Sequence, residues 1–532
     1  MARLSNEIIA HIISHLAAES SSRGGGSSTP AHDTQAPALT LALYATVSRA
    51  WQQHVEAVTF AHIALTPARL ASPLAAQALA PDRVRHFVRS VHVDVVLPPY
   101  GEEARARHED EADRAANDAV FTDVVRRLFA LLAAPHTGIV DAGYRPKIRL
   151  SMMARCVSDQ EDIEAKSFQW QVSGGSYPAI FEARYESSYL DLRPVAGKTA
   201  QDEAKALPEL YCIQEFHVSY ILGRRRLYYT PRTFAPWALC LIASRMPGLE
   251  RIRWDLRDNE KRDVALRKRL RADFAHTLQI LPSSLQHFYL RYTRHIPYDH
   301  SFQTPSILDK TDNNNNNNDK LSLALHELSQ RLASFNVTAD VGPEVLWPLE
   351  RAEDGDGGGD PLWPRMRDYS ISPGSIAPPG QWRFRRSDSE SDHESDGVSI
   401  ESDPGRAPGD ETDDPFRSEL DPEAAHVLLL ALARAVRSMP ALWRMTFVLG
   451  PAVSCGNHIK LLYMVKGGSA ARAGDGCGGG GGTTELSIKS GSMFRPDEEV
   501  LRIWREATVE NARAKSGLVV VLRDMEREVR LS

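Results

Sequence analysis

Cysteine is scarce. Five residues, Cys156, Cys212, Cys240, Cys455 and Cys477, are scattered over 532 positions, with no CxxC pair and no spacing that frames a disulfide scaffold or a zinc site. Reduced thiols, buried as small apolar groups, are expected. Long apolar runs are missing too. No stretch approaches the ~18 apolar residues of a membrane helix. The opening MARLSNEIIAHIISHL is broken by Asn6, Glu7, His11 and His15, so it lacks the apolar core of a signal peptide. These absences predict a soluble intracellular protein of cytoplasm or nucleus, with no membrane partner. Catalytic signatures are absent as well: there is no GxxxxGK[ST], GxSxG or HExxH, and no GxGxxG behind a strand. His11 and His15 are spaced i,i+4 but have no third ligand nearby in sequence. The reading is of a non-enzyme with no catalytic residues, no metal and no cofactor.

A consistent charge of one sign is also lacking. The formal net charge is −6, yet Asp388–Asp414 holds eleven acidic side chains against one arginine, Arg406. That stretch more than accounts for the total, so the rest of the chain is near neutral. The cluster GRRRLYY (223–229) interleaves arginine with tyrosine, but one such cluster on a near-neutral chain reads as a solvated turn, and no nucleic-acid partner is expected.

What is present is an alternation of helical and strand periodicity. FTDVVRRLFALLA (121–133) places Val124, Val125, Leu128, Leu131 and Leu132 on one helical face. KIRLSM (147–152) and QEFHVSY (214–220) alternate apolar and polar residues as strands do. A helix–proline–strand scheme then recurs over 234–256, 274–290 and 424–450, and without the proline over 323–341. MPGLERIRW in one unit parallels MPALWRMTF in another. Proline ends a helix because it lacks the amide donor and restricts the residue before it. Units of this kind bury their apolar faces by stacking, as in a leucine-rich-repeat solenoid. Here they are irregular, without an asparagine ladder. The expected class is therefore α/β, with a single mixed α+β domain as the alternative. The tryptophans of the two LWP segments (346–348 and 362–364) read as core anchors ahead of chain turns.

At the N-terminus, Ile8, Ile9, Ile12, Ile13 and Leu16 form one apolar stripe, with Ser5 placed to cap its helix. Leu43, Val47, Trp51 and Val55 form a second stripe, each residue four beyond the last. RLSNEIIAHIISHL followed by ALYATVSRAWQQHVE resembles the F-box, whose pattern is L-P-x-E-I/L, an apolar helix, then V-S-R/K-x-W. The matching positions are Leu4, Glu7, Ile8, Ile9, Ile12 and Leu16, then Val47, Ser48, Arg49 and Trp51. Ser5 stands where the family has proline, and Ala17–Ala38 separates halves that are usually close. Later segments, including VEAVTFAHIALTPARLA (55–71) and PLWPRMRDYSISPGSIAPPGQWRF (361–384), look like the F-box proteins expanded in filamentous fungi.

The resemblance implies a substrate receptor that docks the Skp-family adaptor and cullin complex of an SCF ubiquitin ligase. It implies an adaptor-binding surface of Leu4, Ile8, Ile9, Ile12, Leu16, Val47 and Trp51, and a C-terminal region holding an unknown protein substrate. A scaffold with a degenerate F-box and no ligase role is the alternative. The expected organisation is an F-box-like helical unit at 1–66, with a flexible insertion at 17–38, and an α/β repeat-like body at 67–350. A WP-containing connecting segment follows at 351–386, then an acidic disordered insertion at 387–420. The C-terminal helix–strand part occupies 421–532, with a Gly-rich loop at 466–482.

Overall fold

The computed structural model describes residues 5–22, 41–74, 77, 82–105, 107–133, 147–159, 161, 184, 187–193, 199–218, 232–258, 260–308, 319–348, 362–386, 407–411, 414–450, 459–466, 483–490, 496–510, 518–524 and 528–531. The GRRRLYY cluster, the Gly-rich tract, Cys455, Cys477 and residues 387–406 of the acidic stretch lie outside them.

The fold is mixed α/β around one large sheet. Its strands are β1 (His62–Leu65), β2 (Ser90–Leu97), β3 (Ile148–Cys156), β4 (Ile213–Val218), β5 (Arg251–Arg257), β6 (His287–Thr293), β7 (Ser334–Ala339), β8 (Asp368–Pro373), β9 (Arg444–Leu449), β10 (Ile459–Lys466), β11 (Thr483–Ser490), β12 (Leu518–Asp524) and β13 (Glu528–Leu531). They lie side by side in chain order, so each strand pairs with its sequence neighbours. From β1 to β9 every pair is parallel. The pairs β9/β10, β10/β11 and β12/β13 are antiparallel, whereas β11/β12 is parallel.

The polarity follows the connections, because a parallel pair needs a long crossover and an antiparallel pair does not. Crossover helices are α3 (Glu111–Ala133), α4 (Ala200–Ala206), α5 (Pro236–Ser244), α6 (Val264–Leu278), α7 (Lys320–Gln330), α8 (Pro422–Arg437) and α9 (Glu498–Glu510), and two N-terminal helices precede them, α1 (Asn6–Ser22) and α2 (Arg49–Thr59). Helices α4 to α7 pack each on the next, as do α8 and α9. This is what successive crossovers of one hand along an ordered sheet produce.

The strands alternate buried and accessible residues, for example in β2, β6 and β7. The buried face carries an aromatic row that crosses five strands. Phe216 meets Trp254 edge-on at 5.9 Å, Trp254 meets Phe288 at 6.1 Å, Phe288 stacks on Phe335 at 6.3 Å, and Phe335 stacks on Tyr369 at 5.4 Å. Offset and edge-on contacts of this kind add about 0.5–1.5 kcal/mol each beyond burial.

The proline-marked repeats are one recurring turn. Leu249 N–H donates to Met246 O (2.9 Å), Leu442 N–H to Met439 O (3.1 Å) and Leu285 N–H to Pro282 O (3.1 Å). The unit lacking proline closes the same way, Leu332 N–H to Ser329 O at 3.1 Å. Each of these leucines is fully buried. Neighbouring turns are then stitched together: Gln286 N–H donates to Glu250 O, Ala333 N–H to Gln286 O, Arg367 N–H to Ala333 O and Trp443 N–H to Arg367 O. The ladder thus continues below the strands.

Four expectations are corrected. First, α1 runs through Ser22, past the boundary set at 17, because Ala17, Ala18 and Glu19 are good helix formers. Second, the stripe Leu43–Val47–Trp51–Val55 is not one helix. The chain leaves helical geometry before α2, and Ser48 is extended (φ −165°, ψ 168°) as its N-cap. Third, the segment set aside as a connector, 351–386, supplies β8, which lies inside the sheet between β7 and β9. Only Tyr369 and Ile371 carry its apolar alternation, and among the described residues between β7 and β8 the helical geometry is a short 3-10 turn at Pro343–Val345. Fourth, Arg417–Leu420, at the end of the acidic stretch, pairs antiparallel with Phe384–Arg386. Trp363 is a core anchor as expected: it is fully buried, and its indole N–H donates to Ser329 Oγ at 2.7 Å.

Candidate interaction surfaces

The N-terminal helices form a small unit with its own core. Ser5 Oγ accepts from Ile8 N–H at 3.4 Å and Ser48 Oγ accepts from Trp51 N–H at 3.4 Å, so both helices begin on serine caps. Ile9 and Ile13 of α1 pack with Leu41 and with Val55 of α2, and Leu16, Tyr44, Trp51 and Val58 close around them. The rings of Tyr44 and Trp51 stack at 5.9 Å. The halves on either side of residues 17–38 therefore meet. Helix α2 also packs against the short helix Asp82–Phe87 at the edge of the body.

This arrangement sorts the seven residues of the expected adaptor surface. Ile9 is interior and holds α1 to α2. Ile12, Leu16 and Trp51 are half-buried. Ile8 and Val47 point outward with 48% and 62% exposure, and Leu43 joins them at 71%. Leu4 lies outside the described residues.

The second surface is the accessible face of the sheet. Register places Arg149, Glu215, Arg251 and His287 in one row across β3 to β6, and Ser151, His217, Arg253 and Tyr289 in the next. Continuing over β7 to β9, the second row adds Asn336, Ser370 and Thr446. Every member of both rows is polar. Glu215 is gripped from both sides, by Arg149 Nε at 2.6 Å and by Arg251 Nη1. Burial raises the Glu215 carboxyl, but the hydrogen bond and charge of Arg149, with Arg251, outweigh it and leave it below its ordinary range. Burial lowers His217 to about 4; Glu215, 3.4 Å away, opposes this, while Arg149, Arg253 and Arg251 add to the depression. Burial, then Arg251, likewise lowers His287. These imidazoles are neutral at pH 7.

Two buried ionic clusters sit at the C-terminal ends of the parallel strands. Arg232 binds Asp159 through two bonds (2.8 and 2.9 Å) and Glu109 through a third (2.5 Å). Tyr100 Oη donates to the same Asp159 and Ser188 Oγ to Glu109. Further along, Arg267 forms a bidentate pair with Asp258 (2.9 and 2.6 Å), and Arg271 bridges Asp258, Asp319 and the carbonyl of Asp340. Burial alone would raise Asp258; Arg267 and Arg271 outweigh it and hold the carboxyl below its ordinary range. Such pairs lock loop ends together, since removal of one partner strands a buried charge. The carboxylates are occupied by guanidinium groups, which suits anchoring rather than proton transfer. Among the described residues no group of three or more His, Cys, Asp or Glu side chains is placed to hold a metal ion, and no helix is long and apolar enough to cross a membrane.

No known protein family, curated protein or solved structure matches this chain. The surfaces must be read from their own chemistry.

The polar rows of the sheet do not show in the apolar half of each alternation, which is what marks the strands in sequence. The signal was present in the other half, in Arg251 and Arg253 of RIRWDLR and His287, Tyr289 and Arg291 of HFYLRYT. Arg267 and Arg271 left a fainter trace. They share a helical face with Phe274 and Leu278, so an amphipathic reading of α6 puts two arginines on its buried side.

Proposed function

We propose that the chain is a non-catalytic F-box-type substrate receptor, docking a Skp-family adaptor through its N-terminal helices and recruiting a protein target through a leucine-rich-repeat-like body. The observation that carries this reading is the meeting of α1 and α2 across residues 17–38 into a unit with its own core, which leaves Ile8, Leu43 and Val47 exposed. Three large apolar side chains left exposed on so small a unit support a contact site there. The in-order parallel strands with crossover helices supply the broad accessible face that solenoid-like proteins use for binding. The competing reading is a scaffold with a degenerate F-box. It draws on the packing of α2 against Asp82–Phe87, which gives the unit a structural partner of its own.

A direct binding measurement between the full chain and a purified Skp-family adaptor separates the two. The receptor reading expects saturable binding that Ile8→Asp and Val47→Asp each weaken by about tenfold or more, with the helical content unchanged. Absence of wild-type binding, or binding indifferent to both substitutions, favours the scaffold.

A further inference from the structure

Arg149, Arg251, Arg253 and Arg291 stand close together on the accessible face over β3 to β6; Arg155, paired with Asp94, and Arg257 lie further along the same face. Two carboxylates share the patch, Glu215 and Asp255. Glu215 is taken by Arg149 and Arg251. Arg253 is exposed, and its guanidinium lies over the Tyr289 ring, 4.8 Å from the centroid, with no ion pair to a described residue. Arg291, also exposed, lies opposite Asp255 in register, while Asp255 itself is buried. The patch thus carries a surplus of positive charge on a chain whose formal net charge is −6. With strands ~4.8 Å apart, it spans about 15 Å across the sheet. The surrounding row of Ser151, His217, Asn336 and Ser370 offers hydrogen-bonding groups and no apolar anchor.

We propose that this patch docks an acidic, extended segment of a partner protein, with Arg253 and Arg291 as the principal contacts. The inference rests on the target-receptor reading and names the chemistry of the target. Arg253 is pre-positioned by Tyr289, which lowers the cost of ordering its side chain on binding. Carboxylates spaced along an extended chain match the two-residue and cross-strand spacings of the arginines. His217 is lowered chiefly by its burial, and the charges of Arg149, Arg253 and Arg251 on the same face add to that depression against the opposing Glu215. A nucleic acid fits less well. Glu215 and Asp255 would face its phosphates, and Tyr289, the aromatic ring in the two central rows, is already covered by Arg253.

The test uses the full chain and a fluorescein-labelled decaglutamate peptide, followed by anisotropy. Saturable binding is expected, weakening with added salt and falling about tenfold or more in the double variant R253Q/R291Q, with Arg253→Lys alone retaining most of it. Both positions are exposed, so the melting temperature should hold. The proposal is overturned by no saturable peptide binding, by equal binding of the double variant, or by a single-stranded DNA decamer binding as tightly as the peptide. Self-association lost in the double variant would instead assign the face to a second copy of the chain, and so also overturn it. Adaptor binding, measured on the same variants, keeps the two readings apart, because its surface lies on α1 and α2.

Discussion

Single residues in this protein often act against their average behaviour. Asp191 is an example. Its N–H donates to Asp118 Oδ1 at 2.8 Å, and its own Oδ1 accepts from Leu192 N–H at 2.6 Å. Burial, then the Asp118 charge, pushes Asp191 up to about 8, and burial pushes Asp118 up to about 6. A carboxyl whose folded pKa exceeds its unfolded value of about 4 holds its proton better when folded. Its contribution is therefore present at low pH and is lost as pH rises from about 4 through the folded value. Urea denaturation at pH 5, 6.5 and 8 should show stability falling by on the order of 1 kcal/mol per pH unit. Asp191→Asn keeps the acceptor for Leu192 and removes the titration, so its stability should vary less with pH. An unchanged slope in that variant would exclude Asp191 as the source.

At the scale of elements, the recurring turn shows how one sequence device serves different contexts. MPGL and MPAL close the same way, yet the residue after proline is Gly248 in one and Ala441 in the other. The difference has a steric cause. A Cβ on Gly248 would lie 2.8 Å from the backbone carbonyl oxygen of Tyr211, and backbone cannot swing aside as a side chain can. Gly248→Ala should destabilise the protein by about 1–3 kcal/mol, read as a lower denaturation midpoint at unchanged slope. Ala441→Gly should cost about 1 kcal/mol or less, chiefly through the unfolded chain. The turns were legible in sequence because proline, then a leucine two or three residues on, has a local meaning. β8 was not legible as a strand, because two apolar residues in six give a weak period and its partners lie far away in sequence.

At the scale of the whole molecule, the described residues form two separate apolar cores. One runs under the sheet from Leu65 to Trp504, and the other is confined to the N-terminal helices. Ile13 is fully buried in the smaller core, where Ile13→Ala removes about 2–5 kcal/mol. That loss exceeds what so small a unit can spare. The variant should raise amide hydrogen exchange across α1 and α2 and weaken adaptor binding, while the main thermal transition moves little. A large shift of the main transition would mean that the two cores unfold as one.

By itself the sequence determined the alternation of helices and strands, the helix stops and the Ser5 cap, because these depend on neighbours a few residues apart. Thus Ser5, Pro247 and Pro440 could be placed from local sequence, whereas the Ser48 cap, inside what reads as one continuous apolar stripe, could not. Local pattern also marked Val55 and Ile13 as apolar, but not which of Ile8, Ile9 and Val47 face inward. Only the tertiary structure decided that, through the packing of α1 on α2. The same holds for the burial of Arg232, Arg267 and Arg271 and for the gathering of Arg149, Arg251, Arg253 and Arg291 on one face. Their pairings join residues tens of positions apart, and they are set by strand order and register, which no short window of sequence contains.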